Sequence, residues 1–195
     1  MIAIREQWNI AQAEERKLHT HTIAQAKEIY YDTYRQYFDY LGIQREMWNH
    51  RIIEIGCADV PALSMCSKFR WGIILEPMPS PILQKLLSEA KETIRLMPVA
   101  AEDFEFPEVE EVWLFNVLQH VIDPETIIDK SKRAAQTIRF FEPINTPTDK
   151  CHLHSFTLDY FRDVFGDCVK EYRAKDGVRN FHEQECAYGV WKKYP

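Results

Sequence analysis

The chain has 195 residues, 46% hydrophobic and 28% charged, the balance of an ordinary globular protein rather than a disordered or fibrous one. At this length a single domain is expected, written here as residues 1–195 with a helical cap over 1–48 and a core over 49–195. A formal net charge of −6 tells against a broad nucleic-acid surface, which needs clustered Lys and Arg to neutralise phosphates. The densest basic group, Lys130, Lys132 and Arg133, reads as a solvated helix face.

Five cysteines, Cys57, Cys66, Cys151, Cys168 and Cys186, stand at scattered spacings without a C-x-x-C pair. They point to reduced thiols and a cytoplasmic setting, and away from a cysteine zinc site. No apolar run has signal-peptide or membrane-spanning length.

From Glu14 to Leu41 the chain is free of Gly and Pro and predicts one helix, with Ile23, Ala26, Tyr30, Tyr34, Tyr37, Phe38 and Leu41 recurring at helical spacing. Gly42 stops it. The aromatic stripe suits packing on the domain body, with a pocket wall as its second use. Arg51 to Gly56 and Trp71 to Glu76 are short apolar runs with the form of buried parallel strands. Between them Ala62 to Phe69 predicts a short helix. Ser80 and Pro81 open a helix to Leu96.

Met97 to Ala101 is a third strand and Glu111 to Asn116 a fourth. Asp123 and Pro124 begin a helix to Ala135, and Thr137 to Glu142 is a fifth strand. Thr157 caps a helix that Gly166 closes after Phe165. Cys168 to Arg173 and Cys186 to Lys192 form an edge hairpin through a polar stretch around Asp176 and Gly177. The expected fold is therefore α/β: a Rossmann-like, doubly wound, mostly parallel seven-stranded sheet with an antiparallel C-terminal edge hairpin and an N-terminal helix. Ligands of such sheets bind beyond the carboxyl ends of the strands.

Those strand ends read Glu54-Ile-Gly56-Cys-Ala58-Asp, then Glu76-Pro77, then Ala100-Ala101-Glu102-Asp103, then Asn116-Val117-Leu118-Gln-His120-Val-Ile-Asp123-Pro124. In this order the series, spanning about Arg51 to Phe156, resembles the class I S-adenosylmethionine (SAM) dependent methyltransferases. The Asn116 to Pro124 string is similar to the N-V-L-x-H-V-x-D-P signature of bacterial members acting on small molecules or sugars.

Gly56 lets the first turn approach a ligand closely. Glu76 follows it by 20 residues, the interval at which an acid meets ribose hydroxyls in dinucleotide folds. The resemblance implies SAM as cofactor, with Glu76 on its ribose and Glu54 holding the loop or meeting the methionyl ammonium through water. It also implies that Glu102 or Asp103, with the backbone of Ala101, lies near adenine. Gly56, Cys57, Ala58, Pro77, Asn116, Val117 and Leu118 complete the expected cofactor set. The family commonly has E-x-G-x-G-x-G, whereas here Ala58 and Val60-Pro61 replace glycines and stiffen the loop.

Methyl transfer chiefly requires placing a nucleophile in a dry pocket, and a hydroxyl acceptor also needs a base. The candidates are His154 first and His152 second, with Glu142 and, across the cleft, His120; a histidine titrates near neutral pH. In an extended loop only one of His152 and His154 faces the site. A metal reading of His152, His154 and Glu142 lacks recognisable ligand spacing. The resulting expectation is O-methylation of a small-molecule or sugar-like acceptor. Its rival is a catalytically inactive methyltransferase-like domain that serves as a binding partner or regulatory subunit. An NAD-dependent reading fails for want of G-x-G-x-x-G after the first strand.

Overall fold

A computed structural model describes residues 2–18, 21–89, 93–173 and 185–194. Seven strands, β1 (Arg51–Ile55), β2 (Trp71–Leu75), β3 (Ile94–Met97), β4 (Val109–Phe115), β5 (Ala135–Pro143), β6 (Val169–Tyr172) and β7 (Cys186–Lys192), form one sheet in the order β3-β2-β1-β4-β5-β7-β6. β3 through β5 run parallel, and β7 pairs antiparallel with both β5 and β6. The order reverses at β1 and β4, where Ile53 sits between Ile73 and Val112. A crevice opens at such a switch point.

The inner strands are apolar on both faces because helices cover both. On one side Ile52, Trp113, Phe115 and Phe141 pack with α2 (Ile23–Leu41) and with Leu83 and Leu86 of α3 (Pro81–Ser88). On the other side Ile53, Leu114, Ile138 and Phe140 meet Ile127 and Ile128 of α4 (Pro124–Ala134) and Phe161 and Phe165 of α5 (Leu158–Phe165). Phe140 stacks on Phe165 at 4.4 Å between ring centroids. Burying each such side chain contributes about 1.5–3 kcal/mol.

Several expected boundaries move. The single helix from Glu14 becomes two, α1 (Ile2–Leu18) and α2. Thr22 restarts the chain as an N-cap, its hydroxyl accepting from the Gln25 N–H while the Gln25 side chain returns to the Thr22 N–H. That capping box satisfies two donors a continuous helix would not leave open.

The helix opened by Pro81 ends at Ser88 rather than Leu96, since Ile94–Met97 pairs along β2 as β3. Ala101–Asp103, expected partly as strand, is one 3-10 turn, and Ala62–Met65 is a 3-10 turn shorter than the helix expected there. The stretch around Asp176 and Gly177 lies outside the described residues. Among the described residues no helix is long and apolar enough to cross a membrane.

Candidate functional site

The first loop is built on a carboxylate beneath it. Glu54, 1% exposed at the end of β1, accepts the N–H groups of Ala62 at 2.7 Å and Leu63 at 2.9 Å. Burial outweighs these two bonds and pushes its carboxyl up to about 8. Gly56 turns with φ +62°, and a Cβ there would lie 2.5 Å from the Val117 side chain. Only glycine meets both demands. Ala58 takes φ 48°, left-handed backbone that strains an alanine. The Tyr34 hydroxyl donates to the Val60 carbonyl at 2.8 Å and steadies the stretch that carries the two replaced glycines.

At the end of β2, Glu76 is 8% exposed and turned back toward this loop. Its carboxylate receives the Cys57 N–H at 3.4 Å and the Met78 N–H at 3.2 Å, and burial raises its proton affinity. The long Cys57 contact leaves the acid with capacity for stronger donors.

The fourth loop is held the same way. Glu142, fully buried in β5, accepts from Val117 at 3.0 Å and Leu118 at 3.1 Å, and burial pushes it up to about 8. Above them Asn116 turns with φ 53°. The Gln119 amide then donates to Asn116 Oδ1 at 2.9 Å and contacts His120 Nε2 at 3.2 Å. His120 Nδ1 lies 3.2 Å from the Cys151 carbonyl and 3.3 Å from Glu15 Oε2. These partners assign the proton to Nδ1 and make Nε2 an acceptor. Burial lowers the pKa of His120 below the ordinary value despite Glu15, so the ring is neutral at pH 7.

Helix α1 lies over these loops. Trp8 Nε1 and Gln12 Nε2 donate to the His120 carbonyl at 2.9 and 3.2 Å, Arg16 donates to the Met78 carbonyl, and Arg5 pairs with Asp103 at 2.6 Å. Beneath the strap is a cavity of about 210 Å³. Its floor comes from Gly56 to Asp59, Glu76 to Met78, Ala100 to Glu102 and Asn116 to Val117. Its roof comes from α1, and its remaining wall from Tyr30, Thr33, Tyr34 and Tyr37 of α2 with Phe115.

Of the expected cofactor residues, Gly56, Cys57, Ala58, Glu76, Pro77, Ala101, Glu102, Asn116 and Val117 come together on this cavity. Glu54 and Leu118 lie below the loops, and Asp103 is taken by Arg5 at the surface. Glu102 Oε1 accepts the N–H groups of Ile122 at 2.7 Å and Asp123 at 3.1 Å, so the carboxylate ties two loops together while the residue borders the cavity.

Among the expected bases only His120 lines the cavity. His154 Nε2 is held on the Val121 carbonyl at 2.9 Å, and His152 Nδ1 faces Asp149 Oδ2 at 3.1 Å with its ring 4.9 Å from that of His120. Glu142 is locked under the fourth loop, where no acceptor can reach it. Among the described residues no cluster of metal-ligating side chains occurs.

Sequence reasoning missed Trp8, Gln12, Glu15 and Arg16. Their spacing marks a second amphipathic helix, but nothing in it says which surface the helix covers. It also missed Asp59, a loop acid 1% exposed on the cavity wall, and Gln119.

No family model matches the chain, and no curated protein sequence matches it. Solved structures do match. A chain of the Haloferax volcanii complex containing the Trm112 methyltransferase activator superposes with TM-score 0.65 at 13% identity, covering 96% of this chain and 98% of that one. The N-methyltransferase NodS of Bradyrhizobium japonicum, in complex with S-adenosylhomocysteine (SAH), gives 0.62 at 12% identity, covering 96% and 100%. The N-terminal domain of EvdMO1, in the presence of SAH and D-fucose, gives 0.58 at 12% identity, covering 83% and 81%. A seven-stranded, mostly parallel sheet closed by an antiparallel edge, with its crevice at β1 and β4, is thus the fold this chain shares with SAM-dependent methyltransferases.

Proposed function

We propose that the chain is a SAM-dependent methyltransferase acting on a small-molecule acceptor, working as one unit over residues 1–195. The observation that carries this reading is Glu76. A buried carboxylate at the end of β2 reaches the cavity beside a glycine turn that no side chain could occupy. The fold supports it, as do SAH complexes of structural neighbours.

The residues fit the cofactor. Glu76 can accept two ribose hydroxyl protons, the Gly56 to Ala58 backbone can border the methionyl part, and Ala101 can border the adenine. Asn116 and Val117 close the floor between them. When bound, SAM would supply an electrophilic methyl group and would leave as the neutral thioether. The chain's own work is to exclude water, aim the nucleophile and receive its proton. For a hydroxyl acceptor, His120 Nε2 is the base, with Glu15 and the Cys151 carbonyl fixing the Nδ1–H tautomer. Gln119 has to release Nε2 as the acceptor enters.

An inactive, partner-binding chain is the second reading, and the strained Ala58 backbone favours it. Incubation with methyl-labelled SAM and small-molecule extracts separates the two. The proposal expects label in a small-molecule product, a loss of about 10²–10⁴-fold in His120→Ala, and unchanged SAM affinity in that variant. Absence of label with folded, SAM-binding protein would favour the inactive reading.

A further inference from the structure

We infer that the acceptor seat is built for an amine carried on an aromatic or apolar body rather than for a sugar; the inference rests on the methyltransferase reading above.

One stretch of the cavity lining is a run of neighbouring aromatic rings. Tyr30 and Tyr34 stand 6.0 Å apart between ring centroids, Tyr34 and Tyr37 6.0 Å, and Tyr37 and Phe115 5.4 Å, all of them lining the cavity. Trp8 of α1 also lines the cavity. Two polar groups along this wall are already engaged within the protein. The Tyr34 hydroxyl donates to the Val60 carbonyl at 2.8 Å, and the Thr33 hydroxyl donates to the Ile29 carbonyl at 3.1 Å.

A sugar would set several of its hydroxyls against these ring faces, and each one left unsatisfied there would cost affinity. A ring or alkyl body meets no such penalty there.

The charges of the lining select the head group. Among the described residues, Asp59, Glu15, Glu76 and Glu102 line the cavity against one guanidinium, that of Arg16, so the lining is acidic on balance, and His120 is neutral. A cation is therefore attracted by the carboxylates and by the ring faces, whereas a neutral hydroxyl can hydrogen-bond a carboxylate but gains nothing from the ring faces. For transfer the nitrogen must present its lone pair, so it gives one proton to His120 Nε2 and uses the freed pair for the new bond to carbon. Asp59 acts here as a positioning residue for the head group.

Binding rather than turnover tests this, with a matched pair of probes. Calorimetry of the folded chain saturated with SAH should give phenethylamine an affinity at least about tenfold above phenethyl alcohol, with methyl glucoside weaker than both. Asp59→Asn, measured at saturating SAH, should remove about tenfold from the amine and less from the alcohol, so that the preference for the amine falls. If that variant does not fold, the wild-type comparison decides alone. Alcohol or glucoside binding as tightly as the amine, with SAH bound, would overturn the inference and leave the methyltransferase reading standing. Failure to bind SAH would overturn both.

Discussion

Glu54 and Glu142 end two parallel strands and make the same connection, each carboxylate gathering two backbone N–H groups of a turn that borders the cavity. Their sign in the pH dependence follows from burial. Both carboxyls are pushed by burial from the ordinary 4.5 up to about 8, so the native state keeps protons that the unfolded chain releases. Their stabilising contribution is complete below about 4.5 and falls as pH climbs through about 8, at up to about 1.4 kcal/mol per pH unit for each group. Chemical denaturation between pH 5 and 8 should show stability declining in the wild type and a shallower decline in Glu54→Gln or Glu142→Gln; identical slopes would contradict it. At Ala58, glycine should relieve left-handed strain and raise stability by about 1 kcal/mol, read from the melting temperature. The sequence displays an acid after each apolar run, but not which way the acid turns. Glu76 and Glu142 look alike in one dimension, yet one lines the cleft and the other is folded under it. Likewise His154 stands out as a base, and only the approach of the Val121 carbonyl shows where it is held.

At the scale of elements β1, β2, β4 and β5 were legible because each is a short apolar run ending at the cleft, and the helix starts because Ser80-Pro81, Asp123-Pro124 and Thr157 are real caps. What was illegible is explained by competition. Thr22-Ile-Ala-Gln25 carries a capping-box pattern, but the absence of Gly and Pro masks the break between α1 and α2. β3 has four residues, too few for periodicity to separate it from the helix before it. Thr22→Ala should cost about 1 kcal/mol in the unfolding free energy. A larger loss is expected between β4 and β5. There the buried Glu111 holds Arg139 through two bonds of 2.8 and 2.9 Å and the Trp113 indole at 2.7 Å. Glu111→Ala leaves the guanidinium without its counter-charge and should destabilise by about 3–5 kcal/mol by denaturant titration. A loss under 1 kcal/mol would mean the pair is solvated.

For the whole molecule, the topology brings four strand-end loops to one crevice and α1 roofs it, anchored at Asp103, Met78 and His120. A ligand bound there joins both halves of the sheet to the N-terminal helix, so it should stabilise the fold as a unit. At a concentration 100 times its Kd, SAM should add about 2.7 kcal/mol and raise Tm accordingly. The acidity and ring content of the wall set which acceptor follows it. All of this depends on one adenosyl group resting against one carboxylate, and a calorimetric titration of SAM into the wild type and Glu76→Ala tests it most directly. The account predicts one site per chain, weakened by about 2 kcal/mol in the variant. Equal affinity in the two proteins, or no binding by folded wild type, would contradict it.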